Sequence, residues 1–466
     1  MKRLYPLLFA ASALAGCTVG PDYQRPAATA AAARDFVEPA TPGAVDVKWW
    51  ERFGDPILTA LVERTIANAP DLKEARARLA EARASRDVTA GARLPTVNAT
   101  GSATQNVLSE NGQLPIANIP GFERDFPLYD VGFDASWEID LWGRRTRQSQ
   151  AAEARLESAE FARRDVMLSL IGEVARTYMD LRGAQADLAI AEASAAADTE
   201  LARLTHLRFT AGEVGRIDAD RADAAARTSA SAIPDARARA AAAAYRIAAL
   251  AGAAPEDVAP ALLAPAPLPQ TPDAIVTGLR SELLERRPDI RRAERELAAA
   301  TADVGVATAD LFPRFSLMGS IGQQARNPGD LFSLDSTRLS IGPSFSWPIF
   351  SMGTIRAQIR GADARAEGAA ARYEKAVIGA LGDSETAINR FLNARIALAE
   401  AQAAREREAS AYALAERRQR SGEDDRLTLT RARQSLLAAE RRSDQAASAK
   451  AQAAVALYKA LGGGWE

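Results

Sequence analysis

The stretch Val131-Gly132-Phe133-Asp134-Ala135-Ser136-Trp137-Glu138 alternates apolar residues with glycine, serine and two acids. A period of two predicts a β-strand with one face suited to lipid and the other to water. Leu339-Ser340-Ile341-Gly342-Pro343-Ser344-Phe345-Ser346-Trp347 has the same form. Two weaker strands, uncharged and rich in Gly, Ser and Thr, follow Leu94-Pro95 and Phe312-Pro313. Together they predict two hairpins, with strands at about 96–105 and 130–138 and at about 315–323 and 339–347. Beyond the N-terminus no window predicts a transmembrane helix: the longest uncharged one, 339–355, is interrupted by Pro343 and Pro348. A chain of this kind crosses a membrane with strands or not at all.

The chain is an internal duplication. Pro70-Asp71-Leu72 aligns with Pro288-Asp289-Ile290 at an offset of 218, which also carries Leu79 onto Leu297, Pro95 onto Pro313 and Gly101 onto Gly319. From Gly132 the offset is 210, and it sets Trp137 on Trp347, Gly143 on Gly353, Arg155 on Arg365, Gly212-Glu213 on Gly422-Glu423 and Arg216 on Arg426. The change falls inside the first hairpin loop, which is expected to be the longer. Each repeat, 70–252 and 288–461, reads helix, hairpin, very long helix, turn, helix. Gly143 to Gly212 and Gly353 to Gly422 are proline-free segments, each about 100 Å long if helical at ~1.5 Å per residue. In the first, Leu170, Val174, Thr177, Leu181, Ala184 and Leu188 recur at 3/4 spacing, a coiled-coil-like pattern. The flanking helices, about 71–93 and 216–250, together nearly match the long one and are expected to stack end to end beside it. Between the repeats, 253–287 carries Pro255, Pro260, Pro265, Pro267, Pro269 and Pro272 and reads as an extended, non-helical linker. A short tail follows at 462–466.

Four strands cannot close a barrel, and open edges in hydrocarbon leave unpaired backbone groups that cost several kcal/mol each. Closure must come from oligomerisation, and three chains (twelve strands) or four (sixteen) both satisfy it. Trp137, Trp142, Trp347 and Phe350 stand at the hairpin ends, where they would form an interfacial aromatic girdle or pack the strand-to-helix corner.

Composition narrows the chemistry. Lys plus Arg numbers 58 against 60 for Asp plus Glu, so no basic surplus exists to bind nucleic acid. One cysteine, Cys17, and one histidine, His206, leave no set for a disulfide, a thiolate zinc site or a Ser/His/Asp triad, and no metal site is expected. GxSxG, GxGxxG and phosphate-loop motifs are absent, and the carboxylates lie on Arg-rich helices where i,i+4 pairing accounts for them. At the N-terminus, Lys2 and Arg3 precede an apolar run and then Leu14-Ala15-Gly16-Cys17, which resembles a bacterial lipobox. Residues 1–16 are then a signal peptide, and Cys17, its covalent lipid the only added group, begins an anchored segment, 17–69. Thr18, where Asp would favour inner-membrane retention, points to the outer membrane.

In chain order the motifs Cys17-Thr18-Val19-Gly20-Pro21-Asp22-Tyr23, Trp49-Trp50 with Asp55-Pro56, Trp137-Glu138-Ile139-Asp140-Leu141-Trp142-Gly143, Arg286-Arg287-Pro288-Asp289-Ile290 and Trp347-Pro348-Ile349-Phe350 resemble an outer-membrane efflux factor of the TolC-like superfamily, in its NodT-type lipoprotein branch. The resemblance covers essentially the whole mature chain. It implies a membrane α+β fold: a homotrimer whose twelve-stranded outer-membrane β-barrel continues as a twelve-helix periplasmic α-barrel. It also implies a non-catalytic exit duct joined through a periplasmic adaptor (membrane fusion) protein to an inner-membrane transporter of the resistance-nodulation-division type. A pore-free periplasmic coiled-coil lipoprotein is the alternative, and it leaves the two Trp-flanked hairpins unexplained.

The same resemblance places the gate and the adaptor contact at the helix-turn-helix tips around Gly212 and Gly422. The first tip keeps the family pattern as Arg208-Phe209-Thr210-Ala211-Gly212; in the second, Gln419 replaces the aromatic and Arg431 stands where Asp is usual. Acids crowd both: Glu213, Asp218, Asp220 and Asp223, then Glu423, Asp424 and Asp425. Arg216, Arg221, Arg426 and Arg431 are the expected counter-charges, with Leu427 and Ile217 as an apolar constriction if ion pairs do not form it.

Overall fold

The computed structural model describes residues 18–27, 34–39, 41–109 and 123–465. The expected signal segment and Cys17 lie outside the described residues, as does 110–122 of the first hairpin loop.

Apart from the four-residue helix Leu283–Arg286 and short 3-10 turns, the elements in chain order are α1 (Pro56–Asn68), α2 (Pro70–Gly91), β1 (Thr96–Val107), β2 (Asp125–Ile139), α3 (Arg144–Thr210), α4 (Arg216–Leu250), α5 (Pro255–Leu263), α6 (Pro288–Ala309), β3 (Arg314–Ala325), β4 (Thr337–Ser346), α7 (Met352–Arg420) and α8 (Arg426–Ala460). The second repeat thus restates the first, with α6, α7 and α8 standing for α2, α3 and α4. The long helices α3 and α7 run 67 and 69 residues without a break. β2 begins several residues before its expected start because Asp125 to Leu128 continue the ladder opposite Val107 to Thr104.

One expectation fails. Within the linker, Pro255 to Leu263 is helical, and so is the short turn of helix Leu283–Arg286 before Pro288. Pro255 occupies the first turn, where its missing N–H is no loss, and Glu256 and Asp257 beside it favour the positive helix end. Burial of Val258, Ala259 and Leu262 then offsets the hydrogen bond lost at Pro260. Reading every proline as a breaker missed the position-dependence of its effect.

Contacts divide the chain into two compact units. The sheet unit comprises the chain up to Arg25, Ala80–Ser158 and Ala293–Tyr373. Its strands form one antiparallel sheet in the order β1-β2-β3-β4, so each repeat contributes a hairpin and the two hairpins join through β2 and β3. β1 and β4 are edge strands, and Pro343 is tolerated in β4 for that reason.

The helical unit comprises Pro26–Leu79, Ala159–Arg292 and the chain from Glu374. Its buried stripe on α3 includes Leu170, Val174, Thr177, Leu181 and Ala184, the 3/4 series read from the sequence. Ala69 and Leu72 at the start of α2 and Leu250 at the end of α4 pack against the same place on α3, Leu170, so the two shorter helices meet end to end there. The second repeat repeats the joint in polar form: Ala460 O, ending α8, accepts from Ser384 Oγ at 3.3 Å and from Arg287 at 3.2 Å. The segment 462–465 is part of this core and no loose tail. Trp49 stacks on Tyr458 with ring centroids 5.2 Å apart and donates to Gly463 O.

Candidate functional site

The sheet register sorts side chains by parity. Odd rows read Ala99-Phe133-Ile321-Leu339, Val97-Ala135-Gly319-Ile341 and, nearer the helices, Trp137-Leu317-Pro343 and Ile139-Phe315-Phe345. Even rows read Asn98-Asp134-Ser320-Ser340, Thr96-Ser136-Met318-Gly342 and Glu138-Ser316-Ser344. In these rows one face is apolar and the other, Met318 apart, polar, as residue alternation on a pleated strand allows; toward the loop end of the sheet the sorting lapses, with Phe126 and Leu128 on the polar side and Gln105, Gln323 and Thr337 on the apolar side. The apolar face is bare: Val97, Phe133, Ile321, Leu339, Ile341 and Phe345 are each more than half exposed. A continuous apolar band on a sheet with two unpaired edges suits hydrocarbon on that face and further strands at those edges.

The four aromatics expected at the strand ends occupy three kinds of place. Trp137 Nε1 donates to Arg93 O at 2.9 Å and Trp347 Nε1 to Leu311 O at 3.0 Å, with both rings half open to the outside. Both indoles thus bond the strand-to-helix corner while part of each ring stays exposed. Trp142 is a corner residue: it stacks on Phe312 with centroids 4.7 Å apart and donates to Pro313 O. Phe350, on the turn after β4, is fully exposed.

The residues just after Cys17 are fixed on this corner. Val19 N–H donates to Trp142 O, and Gly20, at φ 85°, lies so close to α6 that a Cβ there would run into Gly305 Cα. Arg147, whose side chain is 3% exposed, donates to Val19 O and Gly20 O and pairs with Asp22 at 2.7 Å. Tyr23 donates to Glu294, which Arg295 also binds; burial and that carboxylate push the Tyr23 hydroxyl far above its usual range. Residues 18–23 are thus a strap bound to α3 and α6, with Arg147 as its buried partner.

Both tips close by the same device. Gly212 and Gly422 take φ 78° and 82°; Gly212 N–H bonds Phe209 O and Glu213 N–H bonds Arg208 O, and the second tip pairs Gly422 with Gln419 and Glu423 with Arg418. These are Schellman caps, which need glycine at the left-handed position. An ion pair spans each cap: Arg208–Glu213 at 3.0 Å, and Arg418 to Glu423 at 3.7 Å and to Asp424 at 3.1 Å.

Of the ion pairs expected among the tip arginines and acids, one forms within the chain, Arg216–Asp220 at 3.5 Å. Arg426 turns to Glu200 on α3 instead, and among the described residues Arg221 and Arg431 make no ion pair. Asp218 accepts from Gly215 N–H, and Asp425 caps α8 by accepting from Thr428 N–H at 2.8 Å. That amide and the Thr428 hydroxyl hold Asp425 below the usual carboxylate range. Ile217 is exposed, Leu427 half-buried, and His206 an exposed residue beside Phe209.

Sequence reading missed Arg418 and gave Arg208 no partner. The signal was present: the two lie 210 apart, and each precedes its tip glycine by four residues. It missed Arg338 too, whose guanidinium binds Asp130 through two bonds of 2.7 and 2.8 Å. A lone arginine on the polar face of a strand otherwise without charge was its mark.

Residues 61–253 and 279–463 match the model of the family described as outer membrane efflux protein. The chain belongs to that family. The gap between the matched segments is the proline-rich stretch between the repeats. The chain is 32% identical to the pyoverdine export outer membrane protein OpmQ of Pseudomonas aeruginosa over 425 residues, 90% of this chain and 88% of that protein. It is 31% identical to nodulation protein T of Rhizobium leguminosarum bv. trifolii, covering 82% of this chain and 81% of that one. Among solved structures it superimposes on the outer-membrane channel OprN with a TM-score of 0.84 and 39% identity, over 96% of this chain and 100% of that chain. The protein is an outer-membrane channel of a tripartite efflux pump, trimeric and non-enzymatic, with a TolC-like fold and a periplasmic helical extension. A pore-free coiled-coil lipoprotein is excluded.

Proposed function

We propose that this channel is the passive exit duct for a periplasmic adaptor protein and an inner-membrane transporter of the resistance-nodulation-division type, that acylated Cys17 anchors it, and that its tips are the gate. The observation that carries the reading is the pair of repeat-equivalent, ion-paired caps, Arg208–Glu213 and Arg418–Glu423/Asp424. Each cap is satisfied inside its own chain, so a tip keeps its shape without a partner. Trimer symmetry sets the six tips around one axis, and the acids and arginines left over, Asp218, Arg221, Asp425 and Arg431 among them, face neighbouring chains or the adaptor. Gly212, Gly422, Arg216, Asp220, Glu423, Asp424, Arg426 and Leu427 complete the tip surface. Trp137, Trp347 and Phe350 mark the membrane boundary, and Trp142 holds the corner behind them.

Single-channel recording in a planar bilayer without adaptor tests the gate. Replacing Arg208 and Arg418 together by alanine loosens both caps, adds net negative charge to the ring and raises conductance; higher salt reproduces part of the effect because exposed pairs are screened within ~8–10 Å. A double variant that conducts like the parent, with adaptor binding unchanged, rejects the ion-paired caps as the gate in favour of an apolar constriction at Ile217 and Leu427.

A further inference from the structure

The polar face of the sheet carries few charges, and all but one are neutralised where they stand. Glu138 lies at the helix end, 2.7 Å from Arg145 and 3.6 Å from Arg144. Arg314, at the foot of β3, binds Asp310 at 2.7 Å. Asp130 on β2 is held by Arg338 on β4, two strands away, about 10 Å at the usual strand spacing. Arg338 can cross because its row reads Gly132-Gly322-Arg338, with no side chain on β3 to block it. The glycines are obligatory there: a Cβ on Gly322 would lie 2.6 Å from Val131 O, and one on Gly132 2.6 Å from Ile321 O.

Asp134 is different. Its hydrogen-bond partner is a neutral hydroxyl, Thr100 Oγ1 at 3.0 Å, and its row neighbours Asn98, Ser320 and Ser340 carry no charge; Arg338, in the adjoining row, spends its two bonds on Asp130 and acts on Asp134 only through space.

We propose that Asp134 is a selectivity residue of the pore: in the trimer its three copies form a ring of carboxylates without an ion-paired partner inside the barrel that favours cationic over anionic solutes, while Arg338 pairs with the neighbouring Asp130 and so leaves the Asp134 level the more negative of the two. The inference rests on the pore reading, in which the polar face lines water. Charge rings of this kind set ion preference in wide pores through local potential. This ring is separate in sequence and structure from the acids at the tips.

The test places a thiol beside Asp134. Ser320 pairs with Asp134 in the ladder, so Ser320→Cys puts the thiol on the polar face, and Ile321→Cys puts one on the opposite face. Both are made in the parent chain, whose one cysteine, Cys17, offers no free thiol when acylated, and the parent itself serves as the reagent blank. Rates of modification by a cationic and an anionic methanethiosulfonate are measured on the detergent-solubilised protein. The polar-face thiol should react with both reagents, with the cation favoured, and the apolar-face thiol, under detergent, with neither. Asp134→Asn should lower the cation-to-anion rate ratio about threefold or more, Asp134→Glu should restore it, and Arg338→Gln should raise it. If the polar-face thiol reacts and the apolar-face thiol does not, but the ratio ignores Asp134, the selectivity ring is wrong and the pore stands. If the apolar-face thiol reacts and the polar-face thiol does not, the face assignment fails, and the ring with it.

Discussion

Trp137 and Trp347 hold the same place in the two repeats: each donates its indole N–H to the carbonyl of the residue two before the strand's leading proline, Arg93 and Leu311 respectively. Donor and acceptor are both repeat-equivalent, at offsets of 210 and 218, so the duplication preserved a bond as well as a fold. The bond ties the end of one strand to the start of its hairpin partner where lipid-facing strand gives way to helix.

Trp137→Phe and Trp347→Phe keep the ring and remove the donor. Each should lower stability by about 0.5–1.5 kcal/mol, the net worth of one hydrogen bond, and the double variant by the sum, because the two sites share no partner. Thermal unfolding in detergent measures it; a double variant as stable as the parent removes the bond from the account.

The strap predicts a larger effect. Arg147→Ala deletes the buried guanidinium that binds Val19 O, Gly20 O and Asp22, and Gly20→Ala forces a Cβ into Gly305 while straining a left-handed backbone. Either change should destabilise by about 2–4 kcal/mol and expose the N-terminal segment to chymotrypsin at Tyr23, which the strap holds against Glu294. Cleavage at Tyr23 as slow as in the parent contradicts the strap.

For the anchor, Cys17→Ser should abolish incorporation of a labelled fatty acid and leave an uncleaved precursor. Label that persists in the serine variant sinks the lipobox reading.

Acid should act through Asp165. Burial, and then the charge of Asp289, raises its carboxyl above the usual range despite Arg292 at 3.6 Å. A raised acid disfavours its own ionised form in the fold. The cost is present at neutral pH and vanishes as pH falls through the raised value toward the unfolded one near 4. Asp165→Asn should therefore stabilise the protein at pH 7 and lose its advantage at pH 4. Equal gains at both pH values would show that ionisation is not the cause.

Strands, long helices and duplication were legible because each rests on a period: two for 131–138, 3/4 for Leu170 to Leu188, and the offsets of 218 and 210. The tip glycines were legible because a left-handed cap admits little else. What escaped were contacts fixed only by three-dimensional approach. Arg338 reaches Asp130 across a strand cleared by Gly322, and Arg147 meets Asp22 from 125 residues away. Nor does counting prolines disclose α5, whose formation depends on Val258 and Leu262 finding a surface to bury against.

Four strands with an apolar face and two open edges become a closed pore only in company. Native mass spectrometry of the detergent-extracted protein tests this: the mass should be that of three chains, and dissociation should bring aggregation, since it bares the edges of β1 and β4. A folded, monodisperse monomer that stays soluble without detergent would contradict the account.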